Sequence, residues 1–463
     1  MRRTMVLCLA FAVSSAFAQA IPVDRLVDWS GAGASVSPER SLLAIDADEL
    51  RADPDGVLQN AINVAAFRTV ILLPPGEYCC TTPIEMRSGI TLRGQGAGRT
   101  VLRFTLSQSK VGAVTFKGRS VSSHPAHTSL KAATTHIALA EKGSTAFPGW
   151  LADVSMQNDP ALMYTDPKWN VSWATRSRGQ VTKITECTDD GLVLATPLRL
   201  DYPAEWSPEV AIYEPLTDAA VEKLTVEFVE GAGCYNILFD KARDCRVTDV
   251  ESRNCAAAHV WVRRSLNIEV SQSDFAEAES YGGGGNGYGV TLAERSSSCL
   301  VVNNKFHRLR HAMMVKQGAN GNVFAYNYSY GSTGLCDISL HGHYPYANLF
   351  EGNTADFVVV SDYWGPCGPL NTFFRNRLQG KGFRADDHSL RLNVIANTVY
   401  QGAIDVAPSC TEAFVAKNTV KGHFVGELLT DLPPSLFLAG KPAFWGDSPW
   451  PPTADGAIPA ETR

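Results

Sequence analysis

Short runs that alternate apolar with polar residues recur along the second half of the chain. One series reads HVWVRR from His259, YGVTLA from Tyr288, AMMVKQ from Ala312, DISLHG from Asp337 and FVVVSD from Phe357. Alternation at period two marks a half-buried strand. Val260, Val290, Met313, Ile338 and Val358 hold equivalent places 30, 23, 25 and 20 residues apart, an interval that fits one solenoid coil per repeat. A second series lies between the first: SLNIEVSQSD, CLVVNNK, GNVFAYN, ANLFEGN, NTFFRN and LNVIAN. Asn304, Asn327, Asn353, Asn376, Asn397 and Asn418 close the second apolar run of successive coils at intervals of 23, 26, 23, 21 and 21 residues. Amides stacked one strand spacing apart hydrogen-bond along the stack, so the pattern predicts an asparagine ladder inside a parallel β-helix.

Upstream, Val57, Leu58, Ala61 and Ile62 have helical spacing, and Thr69 to Leu73 read as a strand followed by the turn signals PPG and GQGAG. Gly94, Gly96 and Gly98 lie between two short strands, SGITLR and TVLRF. A phosphate-binding loop opens a helix, so these glycines predict a tight turn. The stretch from Asp53 to Phe104 resembles the N-terminal rungs of the pectate-lyase-like superfamily. That resemblance implies an all-β, right-handed parallel β-helix with an N-terminal capping helix, extending to about Val425. The expected divisions are a signal peptide over 1–18, cap and first coils over 19–116, a β-rich insertion over 117–217, the main β-helix over 218–425 and a covering segment over 426–463. Within the insertion, GQVTKITECTDDGLVLATPLRLDY reads as a hairpin turning at Asp190 and Gly191. Trp150, Tyr164, Trp169 and Trp173 are expected to pack the insertion's own core, with sugar stacking as the alternative. The tail PPSLFLAGKPAFWGDSPWPP is expected to cover the solenoid's open end, with sugar contact by Trp445 and Trp450 as the alternative.

Composition narrows the class. The 463 residues are 45% hydrophobic, enough for a large core. The start MRRTMVLCLAFAVSSAFA has a basic end, an apolar stretch and a small-x-small site, predicting cleavage after Ala18 and export to the periplasm or beyond. That stretch is too short to serve as a membrane span, and no later segment resembles one. A net charge of −6 without a basic cluster disfavours nucleic acid as a partner. Ten of the eleven cysteines follow the leader; disulfides and unpaired core thiols both remain open. Their spacing does not suit structural zinc.

Candidate chemistry follows from the alternation. With Val260 and its equivalents inward, three columns face outward: His259, Gly289, Ala312, Asp337 and Phe357; Trp261, Thr291, Met314, Ser339 and Val359; Arg263, Ala293, Lys316, His341 and Ser361. Lys316, His341, Asp337 and Asp362 thus fall on one face of successive coils, with His343 and Arg263 near its edges. Such a groove suits a polysaccharide substrate. Two reactions fit. In β-elimination on a uronic-acid polymer, a base takes the proton beside a carboxylate while cations or a metal neutralise the developing charge. The resemblance implies lysine or arginine as base, often beside calcium. Lys316 or His341 is then the candidate base, Arg263 or Arg310 the neutralising cation, and Asp337 with Asp362 a candidate Ca²⁺ pair. Trp261, His311 and the RADDH residues Asp386, Asp387 and His388 are candidate substrate contacts. The alternative is glycoside hydrolysis by paired carboxylates, Asp337 with Asp362 or Asp386 with Asp387. It ranks lower because HGH at His341 stands where β-helix polygalacturonases carry GHG. A non-catalytic carbohydrate-binding or surface protein is the third reading.

Overall fold

The computed structural model describes residues 20–35, 40–139, 146–164, 166–333, 335–361, 363–452 and 456–463. The leader read over 1–18, with Cys8, and Asp362 lie outside the described residues. The chain forms a parallel β-helix of about 15 turns with an antiparallel insertion and few helices. One long sheet stacks Ser41–Ala44, Thr69–Leu72 and Ile90–Arg93 at one end and runs through Leu300–Val302, Val323–Ala325 and Leu349–Glu351 to Phe414–Ala416 at the other. A second sheet carries Tyr235–Asp240, Ala258–Arg263, Tyr288–Ala293, His311–Val315, Ile338–Leu340 and Thr354–Val360. In it Val260 pairs with Val290, Val290 with Met313, Met313 with Ile338 and Ile338 with Val358, the register expected from the repeats. Each coil also has a short third strand, such as Lys305–His307 or Tyr328–Tyr330, that the sequence pattern did not separate.

Valine, leucine and isoleucine of successive coils fill the interior, and Phe324, Phe350 and Phe373 stack there at 5.1 and 5.0 Å. The ladder runs through every predicted member. Nδ2 of Asn304, Asn327, Asn353, Asn376 and Asn397 donates to Oδ1 of the next asparagine at 3.0, 2.9, 3.0, 3.0 and 3.0 Å. A second ladder, Asn322 to Asn348 to Asn371, follows the same rule at 2.9 and 3.0 Å. The residue before each member of the first ladder is left-handed: Asn303, Tyr326, Gly352, Arg375, Ala396 and Lys417 all have φ between 52° and 62°. Five of these are not glycine, so the corner is held against a backbone cost by the buried amide bonds that follow it.

At the N-terminal end, Pro54–Val64 is a helix capped by Asp53, whose carboxylate accepts from the Gly56 N–H at 2.9 Å. Leu58, Ala61 and Ile62 are buried from it into the first coils. The insertion is an antiparallel sheet in the order Arg119–Pro125, Glu209–Glu214, Leu151–Ser155, Gly179–Thr188, Gly191–Leu194 and His136–Ala138. It has its own core around Ile137, Val154, Ile184 and Ile212. Arg295 of the solenoid docks it, with Nε and Nη2 each 2.7 Å from the buried Asp153 carboxylate, which also accepts from the Tyr213 hydroxyl at 2.9 Å. Asp153→Ala leaves that guanidinium buried without its counter-charge. The expected cost is about 3–5 kcal/mol, read as faster limited proteolysis within the insertion and a lower unfolding midpoint.

The C-terminal segment lies along the outer face of the first sheet. Leu429, Phe437, Trp445 and Ile458 pack with Val323, Ala325, Leu349 and Phe374, together with Ile21 and Trp29 from the N-terminal segment. At this seam the buried Glu351 accepts from the Tyr326 hydroxyl at 2.7 Å and the Leu436 N–H at 2.8 Å. Burial pushes its carboxyl up to about 7, more than these hydrogen bonds pull it down. The folded chain therefore keeps a proton that the unfolded chain loses near the ordinary glutamate value. This stabilisation is complete below that value and is lost as pH rises to about 7. Glu351→Gln is expected to remove about 3 kcal/mol of pH-dependent stability, checked by unfolding midpoints between about pH 5 and pH 8.

The ten cysteines from Cys79 to Cys410 form no disulfide among the described residues. Eight are buried, most of them as small apolar fillers within the coils, so the disulfide alternative is not realised among the described residues.

Candidate functional site

The outward face of the second sheet differs from the predicted columns at one position per coil. Tyr235 pairs with Ala258 and Ile237 with Val260, and the same skip recurs in the next coils. Side-chain alternation shifts there, so His259, Ala312 and Asp337 turn into the protein. His259 is buried between Ser252 and the Glu277 carbonyl, and burial pushes its imidazole down to about 3. Asp337 is buried too. It accepts from the Ser329 hydroxyl at 2.5 Å and from the N–H groups of Asp356 and Phe357 at 3.0 Å each, and burial raises its carboxyl. The residues that take this column's outward place are Tyr235, Ala258, Tyr288, His311 and Cys336, all but the first of them buried.

Of the other two columns, Thr291, Met314, Ser339, Ala293 and Ser361 are buried, whereas Val359 and His341 line a cavity of about 500 Å³. Its wall includes Arg310, His311, His341, Lys381 and Arg384, and no carboxylate occurs among the described lining residues. Phe357, Tyr363 and Trp364 supply aromatic surface. Lys381 and Arg384 lie 5.7 and 5.9 Å from the Phe357 ring centre. The Arg310 guanidinium lies 5.9 Å from the Tyr288 ring, and its Nε and Nη1 are buried without a hydrogen-bond partner among the described residues. The His311 and His341 rings are 5.8 Å apart.

Lys316 stands one coil before His341, beside the cavity rather than in its wall. Its ammonium lies 4.8 Å from the ring of Trp173, from the insertion, and 5.5 Å from that of Trp261. Both π faces attract a cation at that place. His343 is buried against Trp173 and Trp364, with Nε2 2.9 Å from the Trp169 carbonyl oxygen, and burial pushes its imidazole down to about 4. Its place is that of a neutral tether. Arg263 lies farther along the coils, paired at 3.0 Å with the buried Asp240 beside Lys241 and Arg264. Asp386 binds Arg384 at 2.7 Å, Asp387 accepts from the Ser361 hydroxyl at 3.3 Å with its carboxyl raised by burial, and His388 is exposed.

The insertion does more than fill its own core. Trp169 Nε1 donates to the Tyr363 carbonyl oxygen at 2.8 Å, and Gln317 Nε2 to that of Trp173 at 2.8 Å. These bonds fix the loops at His343 and Trp364 that close one side of the site. Lys381, Arg384, Tyr363 and Trp364 were not singled out in the sequence. Arg384 pairs with Val359, and extending the outward column by one coil finds it; the two loop aromatics carry no periodic signal.

Among solved structures, the chain is similar to the tailspike gp61 of Pseudomonas phage phi297, at 13% identity and a TM-score of 0.58. The match covers 79% of this chain and 62% of that one, so the chain spans about three fifths of that tailspike's length. The tailspike gp49 of Pseudomonas phage LKA1 matches at 14% identity and a TM-score of 0.53, over 79% of this chain and 74% of that one. A looser likeness, with a TM-score of 0.39 and 12% identity, extends to the A-module of the Azotobacter vinelandii mannuronan C-5 epimerase AlgE6, over 79% of this chain and 94% of that one. These likenesses bear on the fold. No protein-family profile and no curated sequence matches the chain. Among the described residues no helix is long and apolar enough to cross a membrane.

Proposed function

We propose that the protein is an exported enzyme that cleaves a uronic-acid-containing polysaccharide by β-elimination. The observation that carries this reading is the cavity wall of three cations and two imidazoles with no carboxylate among its described residues; from outside that lining, Asp386 meets Arg384 at 2.7 Å. A neutral sugar gains little from such a wall, whereas a uronate gains charge-assisted hydrogen bonds. Arg310, Lys381 and Arg384 hold the substrate carboxylate and stabilise the charge that spreads into it as the adjacent C–H bond breaks. His341, in the wall, takes that proton. Lys316, its ammonium beside two indoles, adds positive charge on the approach to His341. The glycosidic oxygen then leaves and a carbon–carbon double bond remains beside the carboxylate.

Calcium at Asp337 does not fit this arrangement, because that buried carboxylate already accepts three hydrogen bonds. The described residues also contain no group of three or more His, Cys, Asp or Glu placed to hold a metal. No step is routed through calcium. Purified protein is expected to release an ultraviolet-absorbing unsaturated product from pectate, alginate or a glycosaminoglycan. New reducing ends without that absorbance would favour the hydrolase reading, and activity confined to neutral glycans would end the lyase one. Saturable binding without any product would mark a non-catalytic carbohydrate-binding protein.

A further inference from the structure

We propose that Cys336 is a nucleophilic thiol, and that the cavity it lines is a covalent modification site for small carboxylate-bearing electrophiles. This needs only the cavity and the thiol, not the lyase reading. Met313 pairs with Ile338, which sets His311 and Cys336 side by side two residues upstream. His311 Nδ1 lies 3.3 Å from the Cys336 sulfur and 3.1 Å from the Cys336 carbonyl oxygen. With Nδ1 unprotonated, the imidazole accepts the thiol proton. Once protonated, the same N–H has two acceptors, the thiolate and the carbonyl oxygen, so the ion pair is stabilised where it forms.

The surroundings act in the same sense. Arg310 from the preceding coil, His341 from the same coil and Lys381 and Arg384 from a following coil line the cavity with Cys336. Asp386 pairs with Arg384 at 2.7 Å and offsets part of that charge, and the nearest acids by register are Asp337 and Asp356. Asp337 is turned inward and accepts N–H bonds from Asp356 and Phe357, and neither acid lines the cavity. Cys336 is only 2% exposed, but it faces the cavity, which Cys80, Cys245, Cys255 and Cys299 do not. Burial pushes the Cys245 and Cys299 thiols up to about 12, and those of Cys80 and Cys255 higher.

The step is a displacement. The Cys336 proton passes to His311, the thiolate attacks the methylene of a haloacetate, an S–C bond forms and halide departs with the electrons of the carbon–halogen bond. The product's carboxylate remains among the cavity cations.

The test compares iodoacetate with neutral iodoacetamide on the native full-length chain at near-neutral pH and low salt, with peptide mapping by mass spectrometry. Cys336 is expected to react well before Cys245 and Cys299. Its iodoacetate-to-iodoacetamide rate ratio should exceed that of the exposed Cys79 by about tenfold or more, and the excess should shrink at high salt. Cys336 that stays unmodified until denaturant is added, or that shares the reagent preference of Cys79, overturns the proposal. His311→Gln should slow the labelling about tenfold; an unchanged rate in that folded variant overturns the role given to His311. If the variant does not fold, the reagent ratio of the wild-type protein decides.

Discussion

His341→Ala is expected to lower kcat/KM on the preferred polyuronate by roughly 10²- to 10⁴-fold, the range for removing a positioned general base. Most of the loss should fall in kcat, because the imidazole takes its proton only as the transition state forms. Arg384→Ala should behave differently. A cation that holds the substrate carboxylate before and during reaction supports binding in both states, so its removal should raise KM about tenfold with a smaller fall in kcat. Steady-state kinetics following the unsaturated product separate the two. Unchanged kinetics in His341→Ala would remove it from the site, and Lys316→Ala would then be the decisive variant.

A stability effect as large as that of Asp153→Ala is expected within the ladder. Asn353 Oδ1 accepts from the backbone and side-chain nitrogens of Asn327 at 3.0 and 2.9 Å, and its Nδ2 donates to Asn376 Oδ1 at 3.0 Å and the Phe324 carbonyl at 2.9 Å. Asn353→Leu keeps the side chain's approximate bulk and removes all four bonds. The Asn327 N–H and the Asn376 amide oxygen each lose a partner in the dry interior. At about 1–3 kcal/mol for each such group, the expected cost is about 3–5 kcal/mol, measured by urea unfolding. Asn418→Leu, at the last rung, removes fewer bonds and should cost less.

The parts of this molecule legible in its sequence are those governed by local repetition. Val260, Val290, Met313 and Ile338 could be aligned because each coil solves the same packing problem as its neighbour. The ladder could be read because an unpaired amide has no place in that interior. Asn322, Asn348 and Asn371 obey the same rule, but a run of three rungs stands out less in the sequence than six. Asp337 was misplaced for a geometric reason: strict alternation has no provision for the skipped residue in each strand pairing, and that shift sends the carboxylate inward. The site was legible along its strands and opaque across its loops. Lys316 and His341 follow from register, whereas the bond from Trp169 to Tyr363 joins residues 194 positions apart and depends on how the insertion docks.

Gly112–Lys117 pairs directly with Tyr235–Asp240, and Ile90–Arg93 with Ala220–Glu222, although the insertion separates them in sequence. The stack of coils therefore closes beneath the excursion and carries no record of its length. A different outgrowth at the same exit would change what stands beside Lys316 while leaving both ladders and the cationic strand ends intact. In this architecture the stack of coils and the surface beside Lys316 can change independently of each other.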